Sequence, residues 1–147
     1  MVATATIISD TVRYIRNDLS SNITDPITGR SGRERFVMTS YPQRPVKYPI
    51  VTVKTSGIEA PMKLGMQSAL HQSSLMLEVR IWARNVIEKD ELSESILNRL
   101  RGQELTVASS ESLHDFSVLS TVDVDEPGDG GIKSRVITIK YIFIYGA

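Results

Sequence analysis

The sequence predicts an α+β fold: a mostly antiparallel sheet of four to five strands, with two amphipathic helices packed on it and a long loop between the second and third strands. Three observations predict it. Apolar residues recur at helical spacing over 4–21 and 85–101, and they alternate with polar residues over 74–82. Two C-terminal strand-like segments also flank a turn rich in Gly and Asp. The chain has 147 residues, 41% hydrophobic and 23% charged, which fits one domain over 1–147 able to bury roughly 68–70% of its unfolded surface.

Each element has its own warrant. In the first helix, Ile8, Val12, Ile15 and Leu19 fall on one face, with Thr4 as the expected cap. Asp25-Pro26 and the glycines of Gly29-Arg30-Ser31-Gly32-Arg33 end that helix and open a loop. Residues 36–41 and 49–54 read as two strands across a proline-punctuated crossover, the second rich in β-branched residues. Residues 55–73 then read as a loop, apolar and short of charge. Loops longer than ~12–15 residues are uncommon in compact domains unless functional, so this one is expected to meet a neighbouring subunit.

The strand over 74–82 places Leu75, Leu77, Val79 and Ile81 toward a core and Met76, Glu78, Arg80 and Trp82 on a half-polar face. In the second helix, Leu92, Ile96 and Leu100 form a stripe, Gly102 is the stop, and acidic and basic residues match the two dipole ends. Strands over 117–124 and 132–145 close the sheet through the turn 125–131. The last strand is apolar on both faces at 141–145, which predicts an inner position.

Composition and motifs exclude several classes. Lys plus Arg equals Asp plus Glu at 17 each, so no global field favours a polyanion or an anionic membrane. With no cysteine, thiol catalysis, disulfides and cysteine-ligated zinc are out. No apolar run approaches the ~18 residues of a membrane span and no secretion signal is evident, so a soluble intracellular product is expected.

His71 and His114 show no metal-ligand spacing. Asp123, Asp125, Glu126 and Asp129 could attract a hard cation, but the EF-hand spacing fails and a soluble hairpin tip is the plainer reading. Gly29–Arg33 lacks the P-loop signature, and the serines lack a Gly-x-Ser-x-Gly elbow. Neither an enzyme nor a cofactor is expected.

Asp25-Pro26, Gly29-Arg30, Phe36-Val37, Tyr41-Pro42, Arg44-Pro45 and Tyr48-Pro49-Ile50-Val51-Thr52-Val53, in this order of elements, carry a resemblance. Over nearly its whole length the chain resembles the tail terminator (tail completion) proteins of long-tailed bacteriophages and related archaeal viruses. The resemblance implies a structural virion protein of the tail or neck. It would form a ring, usually a hexamer, that caps the tail tube, ends tube polymerisation and provides the head-joining surface.

Its implied partners are further copies of itself, the tail tube protein and the head-to-tail connector proteins, with DNA passing through the lumen and no membrane. On this reading Ile58, Met62, Leu64, Met66 and Leu70 form a subunit interface. Arg30, Arg33, Asp125, Glu126 and Asp129 lie on loops that face the lumen or the next ring. The nearest alternative is a stopper or adaptor layer of the head-to-tail connector. A more distant one is a small nucleic-acid-binding protein using Arg13, Arg16, Arg30, Arg33, Arg44 and Lys47 beside Tyr14, Phe36, Tyr41 and Tyr48.

Overall fold

A computed structural model of the chain describes residues 6–30, 35–40, 47–59, 62–63, 70–125 and 132–146. Helix α1 (Ile7–Asn22) buries Thr11, Ile15 and Leu19, a stripe of i, i+4, i+8 spacing. The expected stripe is therefore rotated: Ile8 is exposed and Val12 only partly buried. Thr6, not Thr4, precedes the helix, and its hydroxyl donates to the Asp10 carboxylate instead of capping an amide. Thr4 lies outside the described residues.

The sheet has six strands: β1 (Val37–Met38), β2 (Ile50–Ile58), β3 (Met62–Lys63), β4 (Leu70–Ala83), β5 (His114–Asp125) and β6 (Lys133–Gly146). Five of them follow the order β1-β2-β4-β6-β5, with β3 paired to β4 beyond the end of β2. The β1–β2 pair is parallel and all others are antiparallel, so the sheet is mixed. The inner position expected for the last strand is found, since β6 lies between β4 and β5.

The long loop expected over 55–73 is mostly strand where it is described. β2 runs on to Ile58 past an irregularity between Thr55 and Gly57, β3 occupies 62–63, and β4 starts at Leu70. The reason lies in pairing at a distance: β6 offers a continuous 14-residue partner from Lys133 to Gly146, and every residue of β4 is in register with it. Backbone hydrogen bonds to such a partner hold His71-Gln72-Ser73 extended although their side chains lack alternation.

Helix α2 (Val86–Gly102) starts at Asn85, whose side chain accepts from the Glu88 amide at 2.9 Å. Its buried stripe includes Leu92, Ile96 and Leu100, as the pattern predicts. After Gln103 a third helix, α3 (Glu104–Glu111), was not evident from sequence; it buries only Val107 and leaves Leu105 exposed. Ser112 at φ 59° ends it in the left-handed region.

The helices pack against β2, β4, β6 and β5. One hydrophobic cluster joins Ile15, Leu19, Leu92, Ile96, Leu100 and Val107 to the sheet residues Val51, Val53, Leu75, Leu77, Val79, Ile81, Ile137, Ile139, Tyr141 and Phe143. By register, these sheet residues share one face. Asp18 and Arg99 tie α1 to α2 by two hydrogen bonds of 2.7 and 3.0 Å.

Candidate functional site

The residues on the other face of the same strands are polar and apolar in turn. Cross-strand register groups Thr52 with Arg80, Val136 and Val122, and groups Lys54 with Glu78, Thr138 and Ser120. Most of these are half-buried or exposed. The Arg80 guanidinium stacks 3.8 Å from the centre of the Trp82 ring and donates to the Ser134 hydroxyl, which in turn donates to the Val124 carbonyl. Leu119, Val122, Val124 and Ile144 are large apolar side chains left exposed, three of them on the outermost strand β5.

Both borders of the sheet carry unpaired strand among the described residues. β5 has β6 on one side only. β2 pairs with β1 at Val51 and Thr52 alone. The Val51 amide donates to the Phe36 carbonyl at 2.8 Å, so the period of two turns the backbone groups of Val53 and Thr55 toward the same outer edge. A cavity of about 440 Å³ runs along that edge, walled by Ile8, Val12, Arg13 and Arg16 of α1 and by Lys54 and Thr55 of β2. Arg13 is exposed and has no side-chain partner among the described residues, while Arg16 donates to Asn17 at 2.7 Å. Lys54 is 60% exposed and 3.7 Å from Glu78.

At the opposite border, Asp123 accepts from Arg135 at 2.7 Å and from the buried Lys89 at 3.1 Å. Arg135 also bridges to Asp90 at 2.8 Å, so this knot joins β5, β6 and α2. The Arg135 hydrogen bond, with help from Lys89, lowers the Asp123 carboxyl to about 2. Asp123 is therefore a structural anion, held by two cations of its own chain.

The residues singled out from sequence fall in different places. Ile58 ends β2 and is 42% exposed, which leaves it available for a contact. The backbones of Met62 and Leu70 are in β3 and β4. Leu64, Met66, Arg33, Glu126 and Asp129 lie outside the described residues, and Asp125 ends β5.

Arg30 is a correction. Expected on a loop facing outward, its side chain is only 5% exposed. It grips Asp25 at 2.6 and 3.0 Å, donates to the carbonyls of Lys47 and Pro49, and lies 5.6 Å from the centre of the Phe36 ring. Gly29 at φ 73° supplies the left-handed turn that aims it inward. Partial burial would raise the Asp25 carboxyl, but Arg30 and the Ile27 amide outweigh it and hold the group below its ordinary value. Arg30 thus clamps the loop after α1 onto the start of β2.

Of the groove residues, Arg13 and Arg16 are those that the sequence singles out, as part of the alternative nucleic-acid surface. Lys54 borders the groove from the strand edge, but its ammonium stands on the open face, 3.7 Å from Glu78. Among the described residues, no group of three or more His, Asp or Glu side chains is placed to hold a metal ion, and no helix is long and apolar enough to cross a membrane. Among the described residues, one sheet face carries no helix, the outer edges of β5 and of β2 beyond Thr52 have no strand partner, and Arg13 and Arg16 line a groove beside β2. No protein-family model matches the chain, and a comparison with curated proteins finds no match.

Proposed function

We propose that this chain is a structural virion protein, a ring subunit that caps a tail tube, ends its polymerisation and offers the surface to which the head is joined. The observation that carries the reading is one sheet that, among the described residues, has two unlike unpaired edges, β2 beyond Thr52 and β5, and a face on which no described helix packs. Unpaired edges are a liability in a monomer and are normally blunted or covered. Here β5 instead exposes Leu119, Val122 and Val124.

Two unlike edges meeting head to tail make a heterologous contact, which closes into a ring when the rotation allows. Sheets continued in this way would enclose a channel lined by one face of each subunit. On the open face Lys54, Arg80 and Lys140, with Glu78 as the one anion among them, stand among Thr52, Thr138 and Ser120, a polar and modestly positive lining for a channel through which DNA passes. The further partners are the tail tube protein and the connector proteins of the neck.

Electron microscopy of the purified protein tests the reading. Closed annuli of one diameter, which shorten tubes when added to polymerising tube subunits, are expected. Filaments that lengthen with concentration would contradict it, and annuli without effect on tube length would move the chain to an adaptor or stopper layer.

A further inference from the structure

We infer that the groove between α1 and the edge of β2 receives α3 of a second copy of this chain, with Leu105 against its apolar wall and Glu104 and Asp115 facing its two arginines. The inference rests on the ring reading above and names a contact that would join its subunits. The wall that α1 gives the groove is apolar at Ile8, 43% exposed, and at Val12. Arg13 and Arg16, one helical turn apart, bring two positive charges to it, and neither pairs with a carboxylate among the described residues. An occupant of this groove is therefore apolar and acidic together.

The opposite border of the sheet carries that complement. Helix α3 packs on β5 and leads into it through Ser112 and Leu113. Its Leu105 is 85% exposed, more than any other large hydrophobic side chain among the described residues, and gains by being covered. Glu104 precedes it, and Asp115 lies at the start of β5. Both are exposed, and neither has an ion pair among the described residues. Two anions around a bare leucine thus answer two cations around a bare isoleucine.

Topology brings the two surfaces together between copies. The pairs β2–β4, β4–β6 and β6–β5 are each antiparallel, so β2 and β5 run in opposite directions. A copy turned about an axis along the strands sets the unpaired part of its β2 antiparallel to β5 of its neighbour, with the helices of both on one side of the joined sheet. Thr55 at the groove is level with Leu77, with Ile139 and, at the other border, with Val118 of β5. Since α1 packs on β2 and α3 on β5, the joined sheet stands α3 of one copy next to α1 of the other. The groove opens on the β1 side of α1, where Thr39 lines it, so the α3 of the same copy, at the far border, does not fill it. Each copy gives one surface and receives the other, which is the heterologous geometry a ring requires.

Exchanging the charges tests this, with assembly followed by light scattering across concentration. Arg13→Glu with Arg16→Glu, and separately Glu104→Lys with Asp115→Asn, should each weaken self-association by about tenfold or more, since the attraction across the contact is lost. Asn suits position 115 because it tolerates the left-handed backbone there, at φ 53°. Leu105→Ser should weaken association by a similar factor. None of these side chains is buried, and an unchanged circular dichroism spectrum would show that the fold is kept. The chain carrying all four charge changes should associate at least about threefold more tightly than the groove reversal alone, because opposite charges meet again.

An oligomer untouched by these changes, or a combined variant that fails to recover, would overturn the contact and leave the ring reading standing. Sensitivity to the groove reversal with the α3 variants neutral would put another acidic surface in the groove and equally overturn it. A wild-type chain that stays monomeric would overturn both.

Discussion

The two faces of the sheet are built from the same strands and differ in almost everything else. On the covered face Leu75, Leu77, Val79, Ile81, Ile137 and Ile139 are fully buried under α1 and α2. On the other face Met76, Glu78, Arg80, Trp82, Val136 and Thr138 are each half-buried, sheltered by one another. The difference teaches that the first face holds the fold together, while the second, with its borders, is what the proposed assembly would use. A single change should therefore act on folding or on assembly according to which side of a strand it occupies.

The largest expected effect breaks the covered face. Leu77→Ala should lower unfolding free energy by about 2–5 kcal/mol, as truncation of a fully buried leucine leaves a cavity. Denaturant titration measures it, and a loss under 1 kcal/mol would show that the helices do not pack there. Arg30→Ala comes next, at about 2–3 kcal/mol, since it strands the partly buried Asp25 and frees two backbone carbonyls. The same readout applies, and a neutral result would return Arg30 to the surface.

At the border with β5, Asp123→Ala should cost about 1–3 kcal/mol because Lys89 is left buried without this partner. The pH dependence has a definite sign. The folded carboxyl lies at about 2 against an ordinary 3.8, so the stability it contributes is complete above that ordinary value. It is lost as the pH falls from there toward 2. Acid unfolding curves of the wild type and Asp123→Asn should converge over this interval, and parallel curves would contradict the assignment.

Sequence pattern carried the covered face well and the rest unevenly. Leu75 to Ile81 and Leu92, Ile96 and Leu100 show their periods locally, and a period is a local property. The extension of β4 back to Leu70, the parallel β1–β2 pair and the placement of Lys54 beside Glu78 depend on partners far away in sequence. Helix α3 is short and buries a single side chain, so it leaves almost no pattern. Arg30 was misread because a glycine-flanked arginine looks like a free loop cation. Only the carbonyls of Lys47 and Pro49, 17 and 19 residues away, show that it is a clamp.

The smallest effects sharpen the comparison. Val122→Thr, on the open face, should change subunit stability by about 0.5 kcal/mol or less while weakening assembly, since the residue is exposed in the isolated chain. Equal loss in both would mean that this face is part of the core. Tyr141→Phe should stay within about 1 kcal/mol of neutral, or stabilise. The buried hydroxyl has no hydrogen-bond partner among the described residues, and burial pushes its pKa up. A loss above 2 kcal/mol would reveal a bond that this geometry lacks.

The central claim is that the unpaired borders exist to join copies of this chain. Light scattering of the purified wild type over a wide concentration range tests it most directly. A plateau at one whole-number multiple of 16.3 kDa, about six by the ring reading and unchanged on further concentration, is the expected result. A mass that stays at one subunit throughout would contradict the claim.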